Sequence, residues 1–248
     1  MSSASTTWNT AQRESASLEV HLLGRVEFEA AAFLQERAAY EISGRNDRLG
    51  NLLVCEHPPV ITVGREGSTA DILVDQSELT AREMQVVWLN RGGGCFVHAP
   101  GQLAVYPIVP LDRLGIDVVE YRRRLEEAAL DVCRELKIPA TRSTAAPGIC
   151  CRTGQVGHVG VAVKSWVAYH GLFLNVCPSM DYLRMVSSPS SGTRVSSLAA
   201  QRQRPTSMHT VRESLVRNIA SRLEYDQYHL YTGHPLLRRT KKRIHVPA

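Results

Sequence analysis

Arg91-Gly92-Gly93-Gly94-Cys95-Phe96-Val97-His98-Ala99-Pro100-Gly101-Gln102-Leu103-Ala104-Val105-Tyr106-Pro107 is the stretch on which the reading of this chain turns. Consecutive glycines after an arginine let the backbone come close to a ligand and adopt positive φ. Pro100-Gly101 then re-aims the chain. Leu103 to Val109 is apolar almost throughout, the pattern of a strand buried on both faces. A glycine-rich hairpin turn accounts for the glycines alone. It does not account for the arginine before them and His-x-Pro-Gly-Gln after them.

Toward the N-terminus, Gln85 to Leu89 predicts a strand leading into the glycine loop, and Asp75 to Met84 a short helix. Asn51 to Cys55 and Val60 to Val63 predict two more strands. The turn between them, Glu56-His57-Pro58-Pro59, excludes helix and central strand. His57 reads equally well as a turn residue bonded to backbone. Val26 to Ile42 predicts a helix with Phe28, Ala32, Leu34 and Gln35 near helical spacing and Gly44 as its stop. Leu18 to Leu23 predicts a short strand. Residues 1–17 are rich in Ser, Thr and Ala without an apolar centre, which reads as a disordered lead-in and not as a secretory signal.

Toward the C-terminus, Asp117 to Leu136 is the clearest helix, with Asp117 as its cap. Val118, Tyr121, Leu125, Ala128, Val132 and Leu136 form its apolar stripe, while Arg122, Arg123, Glu126 and Glu127 face water. Tyr121 reads as core. Ala146 to Cys151 predicts a turn into a strand, and Arg152-Thr153-Gly154 a hairpin turn. Gln155 to Val163 follows as a strand in which Gly157 and Gly160 mark a close approach by something else. Val167 to Val176 returns, and Ser187 to Ser191 is a polar loop. Thr210-Val211-Arg212-Glu213 reads as a capping box opening the last helix, whose stripe is Val211, Leu215, Ile219 and Leu223. Tyr225 to Ala248 is weakly patterned and reads as a tail. With no repeat and no internal linker, the division is a lead-in (1–17), one domain (18–223) and a basic tail (224–248).

Composition narrows the class. The chain has 248 residues, 44% hydrophobic and 21% charged, as an ordinary soluble globule does. No apolar run approaches the ~18 residues a membrane span needs, and without a signal the default compartment is the cytoplasm. The six cysteines show no CxxC spacing and read as reduced thiols; the histidines do not fall at ligand spacing around them, so no metal is expected. The net charge of +5 favours acidic partners. Much of the excess lies in Arg238-Arg239-Thr240-Lys241-Lys242-Arg243. Without interleaved aromatics, nucleic-acid binding is an unfavoured reading of that run; an acidic carrier protein satisfies the same charge.

Four motifs in one order resemble the lipoate-pathway octanoyltransferases. The glycine stretch is similar to that family's RGG-x-x-T-Y-H-G-P-G-Q-L-x-x-Y-P. Leu53 to Arg65 is similar to LLEHPPVYTLGR. Gln155 to Val176 resembles KIAAIGVRV followed by TYHGLALNV, and Val195-Ser196-Ser197-Leu198 resembles VTSL. The resemblance spans about Leu18 to Leu223. It implies an α/β fold, with a mixed β-sheet and flanking helices, like the biotin and lipoate protein ligases. It implies transfer of an octanoyl group from octanoyl-acyl carrier protein to a lysine of a lipoyl domain, in 2-oxoacid dehydrogenase complexes or the glycine cleavage protein. Neither ATP nor a cofactor is implied, because the donor is already a thioester. Carried over residue by residue, the substrate cradle is Arg91, Gly92, Gly93, Gly94, Cys95, Phe96, Val97 and His98, with His158, Val159 and Gly160, and with Gly171, Leu172 and Phe173.

The family's reacting groups are a cysteine nucleophile and a lysine that lowers its pKa. Here the lysine column holds Gln155 and the cysteine column Ser188, or Pro189 when anchored on Tyr169-His170-Gly171. Val97 and Ala99 replace a tyrosine and a glycine. A tuning lysine has no task once the thiol is gone, and a serine needs a base, not a cation. Three readings follow. A working transferase would use Ser188 with His98 or His170 as base, a substitute thiol at Cys177 or, less favoured, Cys95, or direct attack by the acceptor lysine. A binding module would keep the cradle without turnover. A nucleic-acid-binding protein rests on the basic tail alone.

Overall fold

The computed structural model describes residues 16–187 and 194–237. The apolar run after Pro100-Gly101 forms β6 (Gln102–Pro110), every residue of which is buried. It lies between β2 (Gly50–Glu56) and β10 (Val167–Asn175), antiparallel to both. Beyond β2 come β1 (Ser17–Arg25) and β11 (Gln227–Thr232), joined in parallel. Beyond β10 come β9 (Gly154–Lys164), β8 (Gly148–Cys151) and β7 (Ala140–Arg142), all antiparallel. The order β11-β1-β2-β6-β10-β9-β8-β7 is thus one mixed sheet of eight strands.

Helix α1 (Phe28–Ser43) links β1 to β2, the crossover a parallel pair requires. It covers one face, with Ala31, Leu34, Ala38 and Ile42 packed on Leu53, Tyr106, Ile108 and Phe173. The opposite face carries α4 (Val118–Glu135) and α7 (Met208–Arg222). Asp117 caps α4 as read, accepting from Glu120 N, and Tyr121 is core, its hydroxyl donating to Pro107 O at 2.8 Å. A second sheet of three strands, β3 (Val60–Val63) between β4 (Gln85–Trp88) and β5 (Cys95–His98), carries the glycine loop. Short helices α2 (Gln76–Ala81), α3 (Leu111–Leu114), α5 (Met180–Leu183) and α6 (Leu198–Arg202) complete the chain.

Several expectations need correction. Residues 227–232 are not tail: β11 extends the sheet, although all six residues are exposed, so no alternation betrays it; backbone pairing to β1 and stacking of Tyr231 on His21 hold it. The helix register of α1 runs through Ala31, with Ala32 only half-buried. Glu126 does not face water; it is buried and its Oε1 accepts from Gly148 N at 2.9 Å. Helix α7 opens at Ser207, whose side chain accepts from Thr210 N, so Thr210 lies inside the first turn and is not the cap. Among the described residues no helix is long and apolar enough to cross a membrane. The run from Arg238 to Arg243 lies outside the described residues, as do residues 1–15.

Candidate active site

The glycine loop is wound around its own arginine. Arg91 has no exposed surface. Its guanidinium donates to Gly92 O (3.0 Å), Gly94 O (3.1 Å), Thr62 O (2.9 Å) and Thr62 Oγ1 (2.7 Å). No carboxylate pairs with it among the described residues, and burial lowers its pKa to about 10, which leaves it charged at neutral pH. A buried cation needs partners for its donors; loop carbonyls and Thr62 satisfy the two terminal nitrogens here, while Nε has no partner among the described residues. The hydrogen bonds of Arg91, read from the sequence as a ligand contact, go to the loop and to Thr62.

From Thr62 the bonding continues inward. Thr62 Oγ1 lies 2.9 Å from His98 Nε2, and His98 Nδ1 lies 2.7 Å from Gln102 Oε1. Gln102 Nε2 donates to Val97 O and to Asn175 Oδ1, so its Oε1 is the acceptor and His98 carries its proton on Nδ1. Thr62 therefore donates to Nε2. Asn175 Nδ2 ends the chain on Ser196 O at 3.0 Å. Burial, then the nearby His57 and Arg91, hold His98 well below its ordinary pKa. With both ring nitrogens engaged, His98 has none left to take a substrate proton. Thr62, Gln102 and Asn175 were not among the expected site residues. The sequence signals for Thr62 are its lone hydroxyl in the apolar strand Val60-Ile61-Thr62-Val63 and its match to the threonine of the family's LLEHPPVYTLGR.

The loop sits directly on the second half of the cradle. Gly92 N donates to Val161 O at 2.9 Å. A Cβ on Gly160 would lie 2.9 Å from Gly92 O and 3.2 Å from Arg91 Cδ, so glycine is needed for the approach. Gly160 pairs with Gly171 across β9 and β10. Neighbouring His158, Val159, Leu172 and Phe173 are buried. Phe96 bridges the two halves: its ring lies 4.1 Å from the Arg91 guanidinium, 5.1 Å from His158 and 5.7 Å from Phe173. A cavity of about 130 Å³ remains, lined by Gly93, Gly94, Cys95, Phe96, residues 145–147, Asp71, Glu66 and Ser187.

The residues read from the sequence as candidate reacting groups do not all fall among the described residues. Ser188 and Pro189 lie outside the described residues. Their described neighbour Ser187 reaches Asp71, through Ser187 N to Asp71 O (2.7 Å) and Oγ to Oδ1 (3.2 Å). Gln155 is fully buried; its Nε2 donates to Gly157 O at 3.1 Å, and its Oε1 has no partner among the described residues. Its backbone bridges to Val195, beside the cradle. Cys177 is exposed and does not line the cavity. Cys95 does line it, with Sγ 3.3 Å from Ser68 O, and burial and Asp71 push its thiol up to about 11. Burial and Glu56 raise Cys177 as well. Burial, then Arg91, lowers His158 to about 4 and His170 to about 3. His170 takes φ +58°, a strained value for a strand residue, and its backbone N–H is held by Gln35 Oε1 at 2.9 Å. Among the described residues no group of three or more His, Cys, Asp or Glu is placed to hold a metal ion.

A loop closed over a paired Gly160–Gly171 ladder invites comparison with known proteins. Residues 29–220 match the lipoyl protein ligase A/B catalytic domain. The chain belongs to that family. An octanoyltransferase of Geobacter metallireducens is 35% identical over 86% of this chain and 97% of its own length. One of Chloroflexus aurantiacus is 36% identical over 82% of this chain and 92% of its own. The chain is accordingly an acyltransferase, as its motifs implied. Among solved structures, a bipartite lipoate protein ligase of Thermoplasma acidophilum, studied with its E2 lipoyl domain, superposes with a TM-score of 0.69. It shares 17% identity and covers 88% of each chain. A lipoate-protein ligase A bound with ATP gives 0.65 at 18% identity, over 88% of this chain and 90% of its own. These bear out the expected fold, a mixed sheet with flanking helices of the lipoate-ligase kind.

Proposed function

We propose that this chain transfers an octanoyl group from octanoyl-acyl carrier protein to a lysine of a lipoyl domain, by direct attack of the lysine on the bound thioester. The observation that supports it is the cavity that the glycine loop lines with Gly93, Gly94, Cys95 and Phe96 beside Asp71 and Ser187. The donor and acceptor follow from kinship with the octanoyltransferases. The direct route follows from the side chains present. Gln155 supplies no cation to form a thiolate, and both candidate thiols are held protonated. In the step, the neutral lysine amine forms the C–N bond, the C–S bond breaks, and the carrier sulfur leaves as a thiolate that takes up the proton the nitrogen loses. Holding donor and acceptor together supplies the rate through proximity.

Mass spectrometry of a lipoyl domain incubated with the protein and octanoyl-acyl carrier protein should find octanoyl-lysine. Ser188→Ala, Cys95→Ala and Cys177→Ala should each retain it. Loss of product in one variant would identify an acyl carrier and overturn the direct route. Tight donor binding without product from the unaltered protein would leave the binding-module reading standing in place of transfer.

A further inference from the structure

We propose that Glu126 is a positioning residue for donor binding: its buried carboxylate on α4 fixes Ala145, Ala146 and Pro147, the wall of the cavity that the glycine loop also lines. This rests on the acyl-transfer reading above and adds to it a residue that itself touches no substrate.

The wall is a short corner between β7 and β8, outside any helix or strand, and its three residues line the cavity. Its internal bonds move with it. Ala145 N and Ala146 N donate to Ser143 Oγ, each at 3.3 Å, and Ser143 N donates to Gly148 O at 2.8 Å. Its outward ties set where it stands. Val159 N donates to Pro147 O at 3.1 Å, which joins the corner to the cradle strand β9. Gly148 N donates to Glu126 Oε1 at 2.9 Å, which joins it to α4, in a different layer of the fold. One bond to β9 leaves the corner free to pivot about that strand; the bond to α4 removes that freedom.

The chemistry of Glu126 fits this task. Ala129 and Leu130, one turn further along α4, belong to the core, and Glu126 is itself only 7% exposed. Burying a carboxylate there carries a cost that an apolar side chain would not. What the carboxylate supplies is an acceptor for a buried backbone donor that would otherwise be stranded. Arg142 Nη1 stands 4.0 Å from the second oxygen and offsets its charge. Gly148 is confined on its other side as well. It takes φ +141°, and a Cβ on it would lie 2.8 Å from Gln155 Nε2. A shift of Gly148 therefore reaches the cavity wall before it and Gln155 beside it. Without the acceptor, the Gly148 N–H must turn toward water and carry residues 145–147 with it.

The test separates positioning from mere stability. KM and kcat are measured with octanoyl-acyl carrier protein and a lipoyl domain, and donor Kd by calorimetry. Glu126→Ala removes the acceptor, and Glu126→Leu fills the same space without one, which guards against a variant that fails to fold. In both, donor KM and Kd should rise at least about fivefold while kcat stays within about twofold. Glu126→Gln keeps an oxygen for Gly148 N and should bring KM and Kd back to within about twofold of the unaltered protein. Val132→Ala, a core truncation further along the same helix, is the control: its melting temperature should fall by several degrees with donor KM unmoved. Unchanged KM in Glu126→Ala and Glu126→Leu, an equal rise in Val132→Ala, or a Gln variant as impaired as the Leu variant would overturn the assignment. If the unaltered protein binds the donor without transferring it, the transfer reading fails on its own. Kd then decides: the same pattern across the variants supports the positioning role, and a Kd indifferent to Glu126 rejects it. No donor binding by the unaltered protein would overturn both.

Discussion

The relay beneath the glycine loop and the surroundings of Gln155 are bonded to different extents, although Arg91 Nε and one ring nitrogen each of His158 and His170 are also buried without a partner among the described residues. From Arg91 through Thr62, His98, Gln102 and Asn175 to Ser196 O, each buried group passes a hydrogen bond to the next. A few residues away, Gln155 is equally buried and leaves its Oε1 unpaired. The contrast shows what constrains each. Removing any member of the relay strands a buried partner, which costs the fold directly. Gln155 makes one side-chain bond, to Gly157 O, so the fold tolerates change there. The relay is also a structural element, whereas the Gln155 side chain is tied to the fold by a single bond.

Acid should break the contrast most. His57, His98, His158 and His170 all lie in or against the cradle, and burial is the first cause lowering each pKa, to about 4 for His57 and His158 and about 3 for His170. Unfolded, each takes up a proton below about pH 6.5; folded, each stays neutral until lower pH. Protons therefore favour the unfolded chain. The stabilisation is complete above about pH 6.5 and is lost as pH falls toward 4, at up to ~1.4 kcal/mol per pH unit for each histidine. Urea titrations between pH 7 and pH 4 should show midpoints falling steeply, and a flat profile would mean the histidines are not buried neutral.

Arg91→Met comes next. It keeps an unbranched apolar stem but strands Thr62 O, Gly92 O and Gly94 O, and should cost about 3–5 kcal/mol. At ~2–4 °C per kcal/mol for a domain of this size, the melting temperature should fall by about 10 °C. A drop of only a degree or two would show that the loop does not depend on its arginine.

The smallest effect sharpens the comparison. Gln155→Met removes an amide with one bond and one unpaired oxygen, so the change in stability should stay within ~1 kcal/mol, with no change in acid sensitivity. A loss as large as that of Arg91→Met would show that Gln155 is wired into the fold after all.

Much of this was readable beforehand. Two-face burial of β6, the Asp117 cap, the Tyr121 core position and the close approach at Gly160 all follow from local pattern, since periodicity and glycine placement report what a segment buries. The acyltransferase class came from four motifs in order. What pattern missed has a common cause. β11 has no buried face to mark it, Glu126 is drawn inward by Gly148 N more than twenty positions away in sequence, and Cys95 rather than Cys177 meets the cavity because β5 and the loop face it.

The sequence by itself determined the central strands, the long helices and the family resemblance, because local propensity and motif spacing are properties of neighbouring residues. Only the tertiary structure decided that Arg91 is spent on its own loop, that His98 has no free nitrogen and that Phe96 packs between the Arg91 guanidinium and Phe173. Those roles depend on partners such as Thr62, Asn175 and Phe173, which are distant in the chain and meet only when the two sheets pack together.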